Sequence, residues 1–368
     1  LAAQQTALAA QAAEIERLRA LADPTLAMVT GLGAAGQPAL PPAPADVARR
    51  QPPGGPVGAP PPAAPPVEVA SVPEGYGVLL PQGRLVLEPS IDYTHGSSNR
   101  LVFRGVEIVT GVQIGVIEAS DADRNSVSGA LSARYGLMDR LEVELRVPYL
   151  YRDDRVTTLA QQDESITRTY HLEGQGLGDV ELSARYQVNR GLGGWPVLLA
   201  GLRIKSDTGI SPFDVPRDEF AVATELATGS GFWAVEGGVN FLYPTDPIVL
   251  FGGLSYLSHQ PRKIGKLIGE IPVNKVDPGD SISTNVGFGF ALNPRFSFSL
   301  GYKHTYVFPT KTVIANTRQE SESLNVGAFT FGWSLQLTRR ISIANTYEIG
   351  TTSDSPDARI VFRIPVRF

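Results

Sequence analysis

The sequence predicts an all-β transmembrane protein, an antiparallel β-barrel of about 12 strands that follows a helical segment and a proline-rich linker. From residue 84 onward, apolar residues occupy every second position in one segment after another, with charged or small polar residues between them. A strand sends alternate side chains to opposite faces, so each segment has one apolar and one polar face. The connections alternate between short and long, which is typical of barrels that cross a membrane.

Composition narrows the classes of function. The chain of 368 residues carries a net charge of −5, which argues against a nucleic-acid partner. It has no cysteine, which excludes disulfides and thiolate metal sites. No apolar run in the sequence is long enough for a membrane-spanning helix. The sequence starts at Leu1 without a basic and apolar leader, so we expect that a signal peptide has been removed.

The first domain, residues 1–24, is predicted to be a coiled-coil helix. Residues 1–22 are rich in alanine and leucine, which favour a helix. Leu1, Leu8 and Ile15 recur every seven residues, and Leu18 adds a position on the same seam. We predict that these four residues form an oligomerising coiled coil, and the alternative is a single amphipathic helix.

The second domain, residues 25–83, is a linker rich in proline, alanine and glycine, and it is also a possible plug for the barrel. Residues 37–73 hold 13 of the 29 prolines of the chain. A segment of this composition favours extended conformations and cannot bury a core of its own. The barrel domain then comprises residues 84–368.

Residues 141–149 (LEVELRVPY) show the strand pattern most clearly, with apolar side chains at the odd positions and charged ones at the even positions. Twelve such segments are present if residues 98–123 form a hairpin or a strand extension, and fourteen if those residues form two further strands. We favour twelve. The longer connections, 153–174, 209–230, 260–276 and 309–320, are predicted to be polar loops.

The two faces of these strands differ in a way that favours a membrane barrel over a soluble sandwich. The outer positions hold aromatic residues near strand ends, where interfacial girdles lie; these are Tyr135, Tyr149, Tyr186, Tyr243, Tyr256 and Tyr306. The inner positions carry charges of both signs, which a dry core would not tolerate unpaired. The residues predicted to line the lumen are Glu88, Arg134, Glu142, Glu144, Arg146, Glu181, Arg185, Arg203, Lys205, Arg359 and Arg363.

The segment ARIVFRIPVRF (358–368) alternates apolar residues with arginines and ends in a phenylalanine. It resembles the last strand of bacterial outer-membrane β-barrels, in which a final phenylalanine is recognised by the barrel-insertion machinery. This resemblance makes Phe368 a candidate assembly signal.

Segments such as YGLMDRLEVELRVPY (135–149), GLGDVELSARYQ (176–187) and PGDSISTNVGFGFALN (278–293) carry a resemblance to one family. Together with the order of helix, linker and barrel, they resemble the outer-membrane channels of functional-amyloid secretion, the FapF family. They are also similar to a wider family of outer-membrane transporters that includes phenol meta-pathway barrels. The resemblance implies an outer-membrane protein whose N-terminal region lies in the periplasm, forms a trimer and plugs the pore.

Two transport functions remain open at this stage, beside a third class, a structural or adhesive envelope protein tethered by its N-terminal region. The first is export of an unfolded polypeptide cargo, such as functional-amyloid subunits, through a pore that the N-terminal segment gates. The alternative is a transporter for small or aromatic and hydrophobic solutes. The four histidines, His95, His171, His259 and His304, have no metal-ligand spacing. We therefore expect no enzyme activity, no metal and no cofactor, with outer-membrane lipid as a further partner.

Overall fold

The computed structural model describes residues 79–98, 101–109, 112–160, 163–191, 194–217, 223–268 and 271–368. The predicted coiled coil, with Leu1, Leu8, Ile15 and Leu18, and most of the linker lie outside the described residues.

The described residues form nineteen β-strands. In chain order they are β1 (Leu85–Ser98), β2 (Leu101–Val109), β3 (Val112–Met138), β4 (Leu141–Ala160), β5 (Asp163–Leu177), β6 (Glu181–Gln187), β7 (Val197–Lys205), β8 (Ala234–Pro244), β9 (Ile248–His259), β10 (Arg262–Ile268), β11 (Ile271–Asp277), β12 (Ser281–Asn293), β13 (Phe296–Val307), β14 (Lys311–Ile314), β15 (Thr317–Glu320), β16 (Leu324–Gln336), β17 (Ser342–Gly350), β18 (Ala358–Arg363) and β19 (Val366–Arg367).

Twelve of these strands close into one antiparallel barrel, which confirms the predicted β-barrel and its strand number. Around the wall they follow the order β1, β3, β4, β6, β7, β8, β9, β12, β13, β16, β17 and β18. The barrel closes because β1 pairs with β3 on one side and with β18 and β19 on the other. Closure leaves no free sheet edge around the wall, which a barrel in hydrocarbon requires.

The wall has an apolar exterior and a polar interior. On β4, Leu145 is 45% exposed, whereas Glu144 beside it is 6% exposed. Large exposed apolar residues recur on the same outer face of other strands, among them Leu131, Leu182, Leu202, Leu254 and Val286. An apolar outer band over a polar lumen is the arrangement that a lipid bilayer stabilises. Separately, no helix among the described residues is long and apolar enough to cross a membrane.

The barrel has a turn end, where short turns join the strands, and a loop end, where the longer connections lie. At the loop end β2 pairs with the first part of β3, which extends beyond the barrel wall, as the twelve-strand prediction allows. The predicted polar loop 153–174 is wrong, because β4 runs on to Ala160 and β5 pairs with it. These strands are polar on both faces, so the sequence lacks the apolar alternation that marks a wall strand.

The predicted loops at 260–276 and 309–320 also form strands, which is a second correction. The strands β10, β11, β14 and β15 make a separate four-stranded sheet. One face of this sheet packs on Phe213 and Phe232 from the β7–β8 connection, whose rings meet edge to face with centroids 5.8 Å apart. Val273 and Val276 are fully buried in the same cluster. The partner that buries this face lies far away in the chain, which is why the local pattern does not show it.

Residues 178–180 interrupt the wall strand formed by β5 and β6. There, side chains of the β7–β8 connection supply the hydrogen bonds that a continuous strand would have made. Thr208 donates to the carbonyl of Gly178 at 3.0 Å and accepts from the amide of Val180 at 2.9 Å. Asp179 accepts hydrogen bonds from the amide of Ser230 at 2.9 Å and from its hydroxyl at 2.8 Å. These bonds satisfy backbone groups that the break would leave unpaired.

Candidate channel interior

The segment that precedes β1 lies inside the turn-end mouth of the barrel. Leu79 is 8% exposed and packs against the side chains of Leu199, Leu242 and Phe251. The strands that carry these three residues direct their neighbours Leu202, Tyr243 and Leu250 to the outside, so the cluster faces the lumen. An apolar cluster therefore fills part of the mouth and holds the start of the barrel domain within it.

A buried ionic cluster anchors the same segment. The amide of Leu80 donates to Oε2 of Glu142 at 2.8 Å, and Glu142 is 1% exposed. Arg185 Nη2 donates to Oε1 of Glu142 at 2.7 Å and to Oε2 of Glu144 at 2.6 Å. One guanidinium thus holds two carboxylates, and one of these carboxylates holds the backbone of the segment. Charges this deeply buried are tolerated because each is paired and hydrogen-bonded.

A second cluster of the same form lies on the neighbouring strands. Arg203 on β7 donates from Nε to Oε2 of Glu236 at 2.8 Å and from Nη1 to Oε2 of Glu181 at 3.2 Å. Lys205, two residues further along β7, lies 3.3 Å from Oδ2 of Asp179. This pair links the end of β7 to the break at residues 178–180.

A third cluster lies across the lumen, where the barrel closes. Arg359 on β18 donates from Nε to Oδ2 of Asp92 on β1 at 2.9 Å, and its Nη1 lies 3.5 Å from Oε1 of Glu348. Glu348 also pairs with Lys303 at 2.8 Å. Together these clusters line the lumen with alternating charges, which makes its wall strongly polar without a large excess of either sign.

Two cavities open into this interior. The larger has a volume of about 290 Å³ and is lined by both charged clusters of β4 to β8. The smaller, about 70 Å³, lies against β1, β17 and β18. Arg146 lines both cavities and is the residue that they share. Spaces of this size suit small molecules rather than a wide water channel.

The structure assigns the sequence-predicted lumen residues to several groups. Glu142, Glu144 and Arg185 form the first cluster, Glu181 and Arg203 belong to the second, and Lys205 to its extension. Arg134 pairs with Glu88 at 3.1 Å, Arg359 belongs to the third cluster, and Arg146 and Arg363 line the cavities.

Sequence reasoning missed several members of these clusters, namely Leu79, Asp92, Asp179, Glu236, Lys303 and Glu348. The same alternation that identified the others could have found Asp92, Glu236, Lys303 and Glu348. No periodic signal marks Leu79 or Asp179, because neither lies in a strand. Phe368 is 57% exposed, and its amide donates to the carbonyl of Leu85 at 2.9 Å. The described part of the chain contains no group of three metal-ligating side chains suited to an ion.

Comparison with known proteins supports the fold. No protein-family model matches the chain. The COG4313 outer membrane channel from Pseudomonas putida F1 is similar, with a TM-score of 0.54 and 16% identity over 81% of this chain and 99% of that chain. At this identity the likeness extends to the fold alone.

Two further structures show a weaker likeness. The transport unit of the autotransporter AIDA-I from Escherichia coli has a TM-score of 0.40 and 12% identity, over 78% of this chain and 90% of that chain. A Pseudomonas aeruginosa FadL homologue has a TM-score of 0.37 and 9% identity, over 79% of this chain and 95% of that chain. The resemblance to functional-amyloid channels is not confirmed by these comparisons.

Proposed function

We propose that the protein is a gated outer-membrane channel for small solutes, and that the segment before β1 is part of its gate. The observation that carries this proposal is the docking of Leu79 and Leu80 inside the turn-end mouth, against Phe251 and Glu142. A segment held there by one small apolar cluster and one carboxylate can be released without disturbing the wall pairing.

The apolar exterior supports placement in the outer membrane, with the short turns on the periplasmic side. The N-terminal residues would then lie in the periplasm, because the chain enters the barrel at the turn end. There the helix predicted for residues 1–24 would join three barrels through Leu1, Leu8, Ile15 and Leu18, and would leave each barrel with its own gate. Confinement in one membrane raises the effective concentration of such short helices.

Small solutes are favoured over a polypeptide by the size and lining of the interior. The cavities of about 290 and 70 Å³ share Arg146 in their lining, and ionic clusters project from several strands around them. An unfolded chain would have to displace the docked segment and pass these clusters. The side chains that project into the larger cavity are polar or charged, which makes small polar solutes the best candidates.

Export of an unfolded polypeptide, including functional-amyloid subunits, is the second candidate. It is supported by the order of predicted helix, linker and barrel, since a long N-terminal region could bind cargo or clear the lumen. It requires that release of the docked segment opens a much wider pore than the described interior.

Influx into liposomes tests the proposal. The full chain and a chain beginning at Arg84, which lacks the docked segment, are reconstituted in parallel. We expect slow influx of glycerol and benzyl alcohol through the full chain and faster influx through the shortened one. Equal rates for both proteins would remove the gating role of the segment. Passage of an unfolded peptide through the shortened barrel would favour the second candidate.

A further inference from the structure

We propose that the lumen contains a binding site for the carboxylate group of a small solute, with Arg363 as the residue that binds it. This inference rests on the proposed channel function and specifies its class of solute.

Among the described residues, Arg363 is the lumen arginine whose positive charge is least compensated by neighbouring groups. Its Nη2 donates to Oγ1 of Thr346 at 3.2 Å, and this is its side-chain hydrogen bond among the described residues. Its Nε is enclosed by protein and has no hydrogen-bond partner within that part of the chain. No described carboxylate lies within ion-pair distance of Arg363, in contrast to Arg185, Arg203 and Arg359. A partly buried guanidinium without a paired carboxylate favours an anion beside it.

The smaller cavity, about 70 Å³, lies directly against this side chain. Two carboxylates, Glu88 and Glu348, also line it, but each has a cation of its own. Glu88 pairs with Arg134 at 3.1 Å, and Glu348 pairs with Lys303 at 2.8 Å. The cavity therefore presents the guanidinium of Arg363 together with the hydroxyl groups of Ser90 and Ser132.

These groups match a carboxylate better than other anions or cations. A guanidinium presents a planar fork of donors that fits the two oxygens of a carboxylate. A cavity of this volume holds such a group but not a large polyanion, and the neighbouring carboxylates Glu88 and Glu348 would repel a second negative charge. A cationic solute would instead meet Arg146, Arg359 and Arg363 together.

The rest of the solute has a place in the larger cavity. Arg146 lines both spaces, so a molecule with its carboxylate at Arg363 could extend past Arg146 into the larger cavity. About 290 Å³ accommodates a ring or a short chain there. The inferred ligand class is thus a compact monocarboxylate.

Calorimetric titration of the full-length protein in phosphatidylcholine nanodiscs tests the site, with sodium benzoate as the probe and benzamide as its uncharged counterpart. The variants are Arg363→Gln, Arg363→Lys and, as a matched control, Arg339→Gln, which changes an exposed arginine in the β16–β17 turn. We expect benzoate to bind the wild type and the control equally, and Arg363→Gln at least about tenfold more weakly. Arg363→Lys should retain part of the affinity, and benzamide should not bind.

Three results would overturn the inference: equal benzoate affinity for the wild type and Arg363→Gln, equal affinity for benzoate and benzamide, or no benzoate binding to the wild type. If Arg363→Gln fails to fold, the comparison of benzoate with benzamide and the Arg363→Lys variant still decides. Glycerol influx with no benzoate binding would leave the channel function standing without this site. Benzoate binding with no influx would leave the binding site standing without the channel function.

Discussion

The carbonyl oxygen of Pro81 lies so close to Gly136 on β3 that a Cβ atom built at Gly136 would stand 2.1 Å from it. The amide of Gly83 also donates to the carbonyl of Gly136 at 2.8 Å. The docked segment can lie this close to the wall only because residue 136 has no side chain.

Gly136→Ala is therefore expected to expel the segment from the mouth and to raise the open fraction of the channel in single-channel recordings. Gly129→Ala is the matched control, since a Cβ there meets no atom within 4 Å on the same strand. If the two variants have the same conductance, the segment does not limit flow.

The two faces of the wall predict opposite responses to a new arginine. Leu145→Arg, on the apolar exterior, is expected to cost roughly 2–4 kcal/mol of unfolding free energy near the bilayer midplane. Ser183→Arg should cost little, because Ser183 lines the larger cavity and its wall neighbour there is Glu144. Urea unfolding in lipid vesicles measures both values, and equal costs would contradict the assignment of faces.

The first ionic cluster predicts a large effect from the loss of one cation. Arg185→Met would leave Glu142 and Glu144 buried without their common partner, at an expected cost of about 3–5 kcal/mol. Arg318→Met, which breaks an exposed pair with Glu320, should cost less than about 1 kcal/mol. The same unfolding measurement separates them, and an Arg185→Met protein as stable as the wild type would show that the cluster contributes nothing to stability.

The predicted N-terminal helix makes an assembly prediction. Native mass spectrometry should find a trimer for the full chain and a monomer for a chain that begins at Pro73, because three short heptads associate only when the barrels concentrate them. A shortened chain that remains trimeric would assign the interface to the barrel wall instead. A monomeric full chain would leave Leu8 and Ile15 without a role in assembly.

The faces of the wall strands could be predicted because their signal is local. Leu141 to Tyr149 alternate with a period of two whatever their partners are. The ion pairs could not be predicted in the same way. Arg134 lies opposite Glu144 in the β3–β4 register, yet it pairs with Glu88, and Glu144 pairs with Arg185. Partners inside a barrel depend on how far each strand is shifted against its neighbours, and no single strand carries that information.

The sheet of β10, β11, β14 and β15 was missed for a related reason. Its buried face is covered by Phe213 and Phe232, which lie some tens of residues earlier in the chain. Taken by itself, the segment 262–277 shows lysines within a mixed pattern of polar and apolar residues. Gly265 has a positive φ and shifts the register of the strand pairing. Such a bulge reverses the alternation halfway along the segment and hides the strand.

The bridge between Asp92 and Arg359 joins residues 267 positions apart in the chain. It joins β1 and β18, the first and last wall strands in the chain, so it forms when the barrel closes. Contacts of such long range are late and slow to form. Until then both end strands expose unpaired backbone, so the open sheet is the species most at risk of joining another chain. A measurement that follows the formation of this ion pair would therefore report when the final step of folding occurs.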